Sequence, residues 1–109
     1  MRQPKESIKQ IAAALGQQYT LMLIDEEWCL YRDLGNGYDI EINLNGIRKA
    51  SLNATVKVWQ VRDQLKVIQR IEGISDIKTL RRVLRLMINK TNRIAANRNK
   101  VYKPIIQAV

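Results

Sequence analysis

The sequence contains no histidine and a single cysteine, Cys29. No Ser-His-Asp or Cys-His arrangement can be assembled from it, because each uses imidazole as the base. A lone thiol without histidine leaves too few soft ligands for a metal centre. One cysteine also cannot form an intramolecular disulfide. Cys29 is therefore read as a packing residue. Long apolar runs are missing as well. LMLI (Leu21 to Ile24) is far short of a membrane span. The first residues, MRQPKESIKQIAAALG, lack the apolar core of a signal peptide. No partnership with membrane is expected, and the expected location is the cytoplasm.

Cofactor fingerprints are also missing. The GNG of Gly35 to Gly37 is not followed by Lys-Ser/Thr and opens no helix, so it is not a phosphate-cradling loop. There is no GXXG clamp and no aromatic ribonucleoprotein signature. Asp39 and Glu41 lie two apart, about 7 Å along a strand. They could hold an ion or act as an acid/base pair, but a solvated strand face is the reading preferred. Asp25-Glu26-Glu27 is read as a polar turn. Trp28 and Trp59 are read as packing residues rather than stacking platforms. No enzyme activity, cofactor or metal is expected.

What is present is positive charge. Among 109 residues there are 19 Lys+Arg against 10 Asp+Glu, a formal +9, with pI ≈ 10.1. The excess is lopsided. Residues 1–59 carry 7 basic and 7 acidic side chains, whereas residues 60–109 carry 12 basic and 3 acidic. Clustered Lys/Arg in a basic domain is the electrostatic footprint of a nucleic-acid binder. The bland reading is a basic protein whose charge only keeps it soluble. At 46% hydrophobic and 27% charged residues, the chain has the composition of a globular protein. Its length suits one domain, residues 1–109.

Periodicity predicts the elements. Ile8, Ile11, Ala12 and Leu15 share one face of a first helix, Ser7 to Leu15, ended by Gly16. Tyr19 to Ile24 is apolar on both faces, as a central strand would be. Trp28 to Leu34 is a second strand, and the GNG turn leads into a third. There Tyr38, Ile40, Ile42 and Leu44 alternate with Asp39, Glu41, Asn43 and Asn45, giving one buried and one wet face. Leu52 to Val61 is a fourth strand, joined either by a basic loop, Ile47 to Ser51, or by a tight turn at Asn45-Gly46. Val61, Leu65, Ile68 and Ile71 recur at helical spacing and predict a helix ended by Gly73. Ser75 is the expected N-cap of a last helix from about Asp76 to Ala96. The tail, 97–109, contains Pro104 and either docks Val101, Tyr102, Ile105 and Ile106 or stays extended and mobile. The expected architecture is α+β: an antiparallel meander of three to four strands, an N-terminal helix and two C-terminal helices packed on it. An uncovered sheet edge is a route to a homodimer.

The last helix carries the functional signal. On a helical wheel Ile77, Leu80, Leu84, Met87, Ile88 and Ile94 occupy one half. Lys78, Arg81, Arg82, Arg85, Asn89, Asn92 and Arg93 occupy the other. A merely solvated face usually mixes signs, because Glu–Lys pairs at i, i+4 stabilise a helix. Here Lys78/Arg82 and Arg81/Arg85 are like-charged neighbours and no acid intervenes. Such a surface suits an external anion. Arg62, Lys66 and Arg70 would add an i, i+4, i+8 row on the preceding helix. Lys90, Arg98, Lys100 and Lys103 could assist.

The expected function is a small nucleic-acid-binding module, duplex more than single strand, making backbone contacts. The alternative is a protein-interaction module or inhibitor docking on an acidic partner such as a nucleic-acid enzyme. Either would suit a phage or other mobile element. The element order is similar to that of double-stranded-RNA-binding domains and of the three-stranded sheets some integrase arms use on DNA. That similarity is one of order, with no shared motif.

Overall fold

The computed structural model describes residues 6–25, 27–44 and 52–108, without the side chains of Ser7 and of 98–108. The elements are α1 (Glu6–Leu15), β1 (Thr20–Ile24), β2 (Glu27–Gly35), β3 (Tyr38–Asn43), β4 (Ala54–Gln60), β5 (Lys66–Ile74) and α2 (Ile77–Ala108). The strands form one five-stranded antiparallel sheet in the order β1-β2-β3-β4-β5. Helices cover one of its faces. The class is α+β as expected, with five strands and two helices in place of three to four strands and three helices. The turn at Asn45-Gly46 and the Ile47–Ser51 link lie outside the described residues.

Alternation explains the sheet. In β3, Tyr38, Ile40 and Ile42 are buried while Asp39, Glu41 and Asn43 are half-buried on the other face. Ala54, Val56 and Val58 of β4 repeat the pattern. With Leu30 of β2 they build the inner face. Ile8 and Ile11 of α1 and Leu80, Leu84 and Met87 of α2 pack against it. Each buried side chain of this size contributes about 1.5–3 kcal/mol over exposure.

The predicted helix at 61–73 is a turn and a strand. Of the four apolar residues at helical spacing only Ile68 and Ile71 lie in β5; Val61 and Leu65 stand exposed in the connection before it, so the spacing marks no common buried face. Register places Gln69 opposite Val58 but Val67 opposite Trp59, so Ile68 is the extra residue of a β-bulge. Gly73, expected to end a helix, has φ of 72° and lies at a second register shift, where Ile74 pairs with Ala54. Residues 62–64 turn the chain, with Asp63 at φ 68° and Gln60 donating to the carbonyls of Arg62 (3.3 Å) and Gln64 (3.2 Å).

β1 is also not central. Its apolar run forecasts burial on both faces, yet it is an edge, with Met22 41% and Leu23 46% exposed. Apolarity reports affinity for burial, whereas short connections keep successive strands adjacent and put the first strand outside. At the far end, α2 passes the expected stop near Ala96 and runs to Ala108. Extending an existing helix adds one bond per residue ordered, so it needs less apolar pattern than starting one. The predicted docking of Val101, Tyr102, Ile105 and Ile106 lies outside the described side chains.

A polar pin ties α2 to β5. The Gln69 amide donates to the Met87 carbonyl (3.0 Å) and to Thr91 Oγ1 (2.8 Å). The buried Thr91 hydroxyl donates in turn to the Met87 carbonyl (2.8 Å). The bulge at Ile68 aims Gln69 at the helix.

The GNG turn holds Gly35, Asn36 and Gly37 at φ of 77°, 56° and 86°. Gly37 is also crowded: a Cβ there would stand 2.4 Å from Arg62 Cβ. Val61 N–H donates to the Gly37 carbonyl at 2.9 Å, which keeps the two backbones together. Gly37→Ala is expected to destabilise the fold by about 2 kcal/mol or more through strain and displacement of the 62–64 turn. Chemical denaturation checks this; an unchanged midpoint contradicts it.

Candidate nucleic-acid interface

Burial of Leu80, Leu84 and Met87 fixes the rotation of α2 about its axis. Lys78, Arg81, Arg82, Arg85, Asn89, Lys90 and Arg93 are all exposed as a result. The helix spans 32 residues and contains no acid. Its N-cap is Asp76, not Ser75. The Asp76 carboxylate accepts from Thr79 N–H (2.7 Å) and Thr79 Oγ1 (2.8 Å), and its carbonyl accepts from Leu80 N–H (3.0 Å). An ionised carboxylate offers two acceptor oxygens, enough for both Thr79 donors, and its charge opposes the positive end of the helix dipole.

Lys78, Arg81, Arg82 and Arg85 surround one concavity of about 430 Å³, completed by Thr79. Among the described residues no ion pair joins any of these four to a carboxylate. Asp76 feels the Lys78 charge but is engaged by Thr79, and other acids lie on the far side of the sheet. Glu27, Asp39 and Glu41 project from the uncovered face of the sheet, opposite the helices, where Asn43 Nδ2 donates to Glu27 Oε2 at 3.1 Å. The molecule is therefore polar: its cations are concentrated on α2 and its acids on the open sheet face.

Arg81 has a second role. Its Nη2 donates to the Ala14 carbonyl at 2.7 Å, in the last turn of α1. A guanidinium there offsets the negative end of the α1 dipole. Arg81 thus belongs partly to the fold, while the side chains of Arg82, Arg85 and Lys78 make no such bond among the described residues.

The three cations 62, 66 and 70 do not form a row. Arg62 sits in the turn against Gly37. Lys66 opposes Gln60 on the helix-side face of β5. Arg70 opposes Lys57 on the other face and is ion-paired with Glu72. In a regular strand residues 66 and 70 share a face; the extra residue at Ile68 separates them. The side chains of Arg98, Lys100 and Lys103 lie outside the described residues.

A second cleft, of about 380 Å³, opens between the C-terminal end of α1, β2 and α2. Arg32, Arg81 and Arg85 line it together with Gln18, Tyr19 and Asn89. Neither the strand alternation nor the helical wheel singles out Arg32. Its guanidinium lies over the Tyr19 ring, 5.6 Å from the centroid, in cation–π contact. The usable signal was its position between Leu30 and Leu34, two inward residues of the same strand. A cation at an inward strand position is the exception that points to a site.

Two other groups have little chemistry to offer. Cys29 is buried, and burial followed by the nearby Glu41 and Glu27 charges pushes its thiol up to about 11. It stays a thiol at neutral pH and is a poor nucleophile. Tyr31 is pushed up to about 12, first because its phenol donates to the Asp39 carboxylate. Asp39 is thereby occupied. Among the described residues no three carboxylate or thiol side chains gather in a metal-binding arrangement, and no helix is long and apolar enough to cross a membrane.

The chain matches no family model, no curated protein and no solved structure.

The bonds from Thr79, first backbone and then side chain, hold the Asp76 carboxyl below its ordinary range. A depressed folded pKa stabilises above the unfolded value, about 4, and that stability is lost as pH falls through the lower folded value. Asp76→Ala is therefore expected to lower the melting temperature at neutral pH, with the gap to wild type closing below about pH 4. A gap that stays constant with pH contradicts the capping role.

Proposed function

We propose that the protein is a duplex nucleic-acid-binding module that docks the outer face of α2 on the phosphate backbone. One observation carries this reading: Lys78, Arg81, Arg82 and Arg85 surround one exposed concavity without an acid, on a helix whose rotation the core dictates. Arginine forks suit phosphate oxygens. Asn89 and Arg93 continue the face, and Lys90 flanks it. The reading assigns no base-specific contact, so binding is governed by charge and helix shape. It places the protein in the cytoplasm.

Leu86 supports a second reading. It is 56% exposed and lies one turn from Arg82, within the cationic face. An exposed leucine flanked one turn away by Arg82 and Lys90 suits an acidic protein partner with an apolar pocket, such as a nucleic-acid enzyme. Leu86→Ser separates the two: duplex binding tolerates it and a protein partner does not.

Pairing of two copies through a sheet edge belongs to the same proposal. Bulges and the charges of Lys66, Arg70 and Glu72 blunt β5, whereas β1, TLMLI, is charge-free. β1 is the edge proposed to pair. A concentration-independent monomer in sedimentation overturns that part.

The test of duplex binding is its salt dependence. Affinity for a generic duplex is expected to fall steeply between about 50 and about 200 mM salt. Arg82→Gln with Arg85→Gln removes two cations that bond nothing among the described residues, and is expected to lower the log–log slope by about two. Lys57→Gln, on the opposite face, leaves the slope unchanged. No binding at low salt, or an unchanged slope in the double variant, overturns the proposal.

A further inference from the structure

We infer that the cleft between α1, β2 and α2 is a binding site for a phosphate monoester. The site is separate in purpose from the duplex-binding face, although Arg81 and Arg85 border both. The inference does not rest on duplex binding, because its probes carry no nucleic-acid backbone.

Three guanidiniums come to this cleft from two elements. Arg81 and Arg85 stand one turn apart on α2, and Arg32 arrives from β2. Among the described residues no carboxylate lines the cleft. Like charges gathered this way repel one another, and the structure answers that repulsion only in part. The Ala14 carbonyl takes one Arg81 donor. The Tyr19 ring supports Arg32 from below. Arg85 has no counterpart among the described residues. These contacts also hold Arg81 and Arg32 in place before any ligand arrives, so less ordering entropy is lost on binding.

Charge and shape select the ligand class. A phosphodiester carries one negative charge and two free oxygens. A monoester carries nearly two charges at neutral pH and three strong acceptor oxygens. Three arginines match the second inventory, one fork to each oxygen in the limiting case. At about 380 Å³ the cleft falls within the range of small-molecule sites. Gln18, Asn89 and the Tyr19 hydroxyl add neutral donors for a group attached to the phosphate. Two sources present this chemistry: a free nucleotide, or the phosphorylated end of a nucleic-acid strand.

The full chain is titrated with methyl phosphate and with dimethyl phosphate, followed by amide shifts of Gln18, Tyr19, Arg32 and Asn89. The monoester is expected to bind at least about tenfold more tightly than the diester. Its affinity rises as the pH is taken through its second ionisation, near 6. Arg32→Gln is expected to abolish the preference. Asn89→Asp introduces a carboxylate at an exposed helix position and keeps the test usable if Arg32→Gln does not fold; it too is expected to weaken the monoester by about tenfold or more. Equal binding of the two esters, or monoester binding untouched by Asn89→Asp, overturns the inference. Adenosine monophosphate and a pair of hairpin oligonucleotides with 5′-phosphate or 5′-hydroxyl ends then name the source. Tight binding of the mononucleotide assigns a free ligand, and tightening only on the phosphorylated hairpin assigns a strand end.

Discussion

The burial of one stripe on α2 is the constraint from which the rest follows. Leu80, Leu84 and Met87 are nearly inaccessible and complete the core over Leu30, Ile40, Ile42, Val56 and Val58. A helix has one degree of rotation to choose, and this stripe uses it. Every polar residue on the opposite side then points to water whether or not its charge repels its neighbour. The Gln69–Thr91–Met87 pin reinforces the choice from β5. Repulsion between like charges at i, i+4 costs a few tenths of a kcal/mol per pair. Burial of three large side chains outweighs it by several-fold. The cationic face is in that sense imposed by the core and affordable to it.

The sheet then separates the charges. Its helix-side face is apolar at its centre, where Leu30, Ile40, Ile42, Val56 and Val58 lie, and its open face carries Glu41 together with Glu27, engaged by Asn43, and Asp39, engaged by Tyr31. Acids held on the far side cannot quench Arg82 and Arg85, and Asp76 at the N-cap acts on Lys78 alone of the four cations. An internal neutralisation would have turned the arginine stripe into ordinary fold stabilisation. Among the described residues of the α2 stripe, Arg81 alone is drawn into that role, at the end of α1.

Much of this architecture is legible in the sequence, for reasons that also explain the failures. The faultless alternation of Tyr38 to Asn43 and the wheel of α2 are long, regular patterns that one face of a core must obey. The 61–73 segment misleads because its four evenly spaced apolar residues share no face: Val61 and Leu65 are exposed in the connection, and Ile68 is the extra residue of a bulge in β5. The helix reading of Arg62, Lys66 and Arg70 fails with it. Arg32 was visible only as an oddity between Leu30 and Leu34. Its meaning depends on α1 and α2 closing over that end of β2, which no local pattern encodes. The N-cap was misplaced by one residue because Ser75 and Asp76 are both good caps, and only Thr79 decides between them.

The central claim is that the outer face of α2, and not the open face of the sheet, meets nucleic acid. Amide and arginine side-chain NMR shifts on titration with a short generic duplex at low salt test it directly. The account predicts shifts concentrated at Lys78, Arg82, Arg85, Asn89 and Arg93, with Lys57, Glu41 and Arg70 silent. Shifts centred on the open sheet face, or none at saturating duplex, would contradict it.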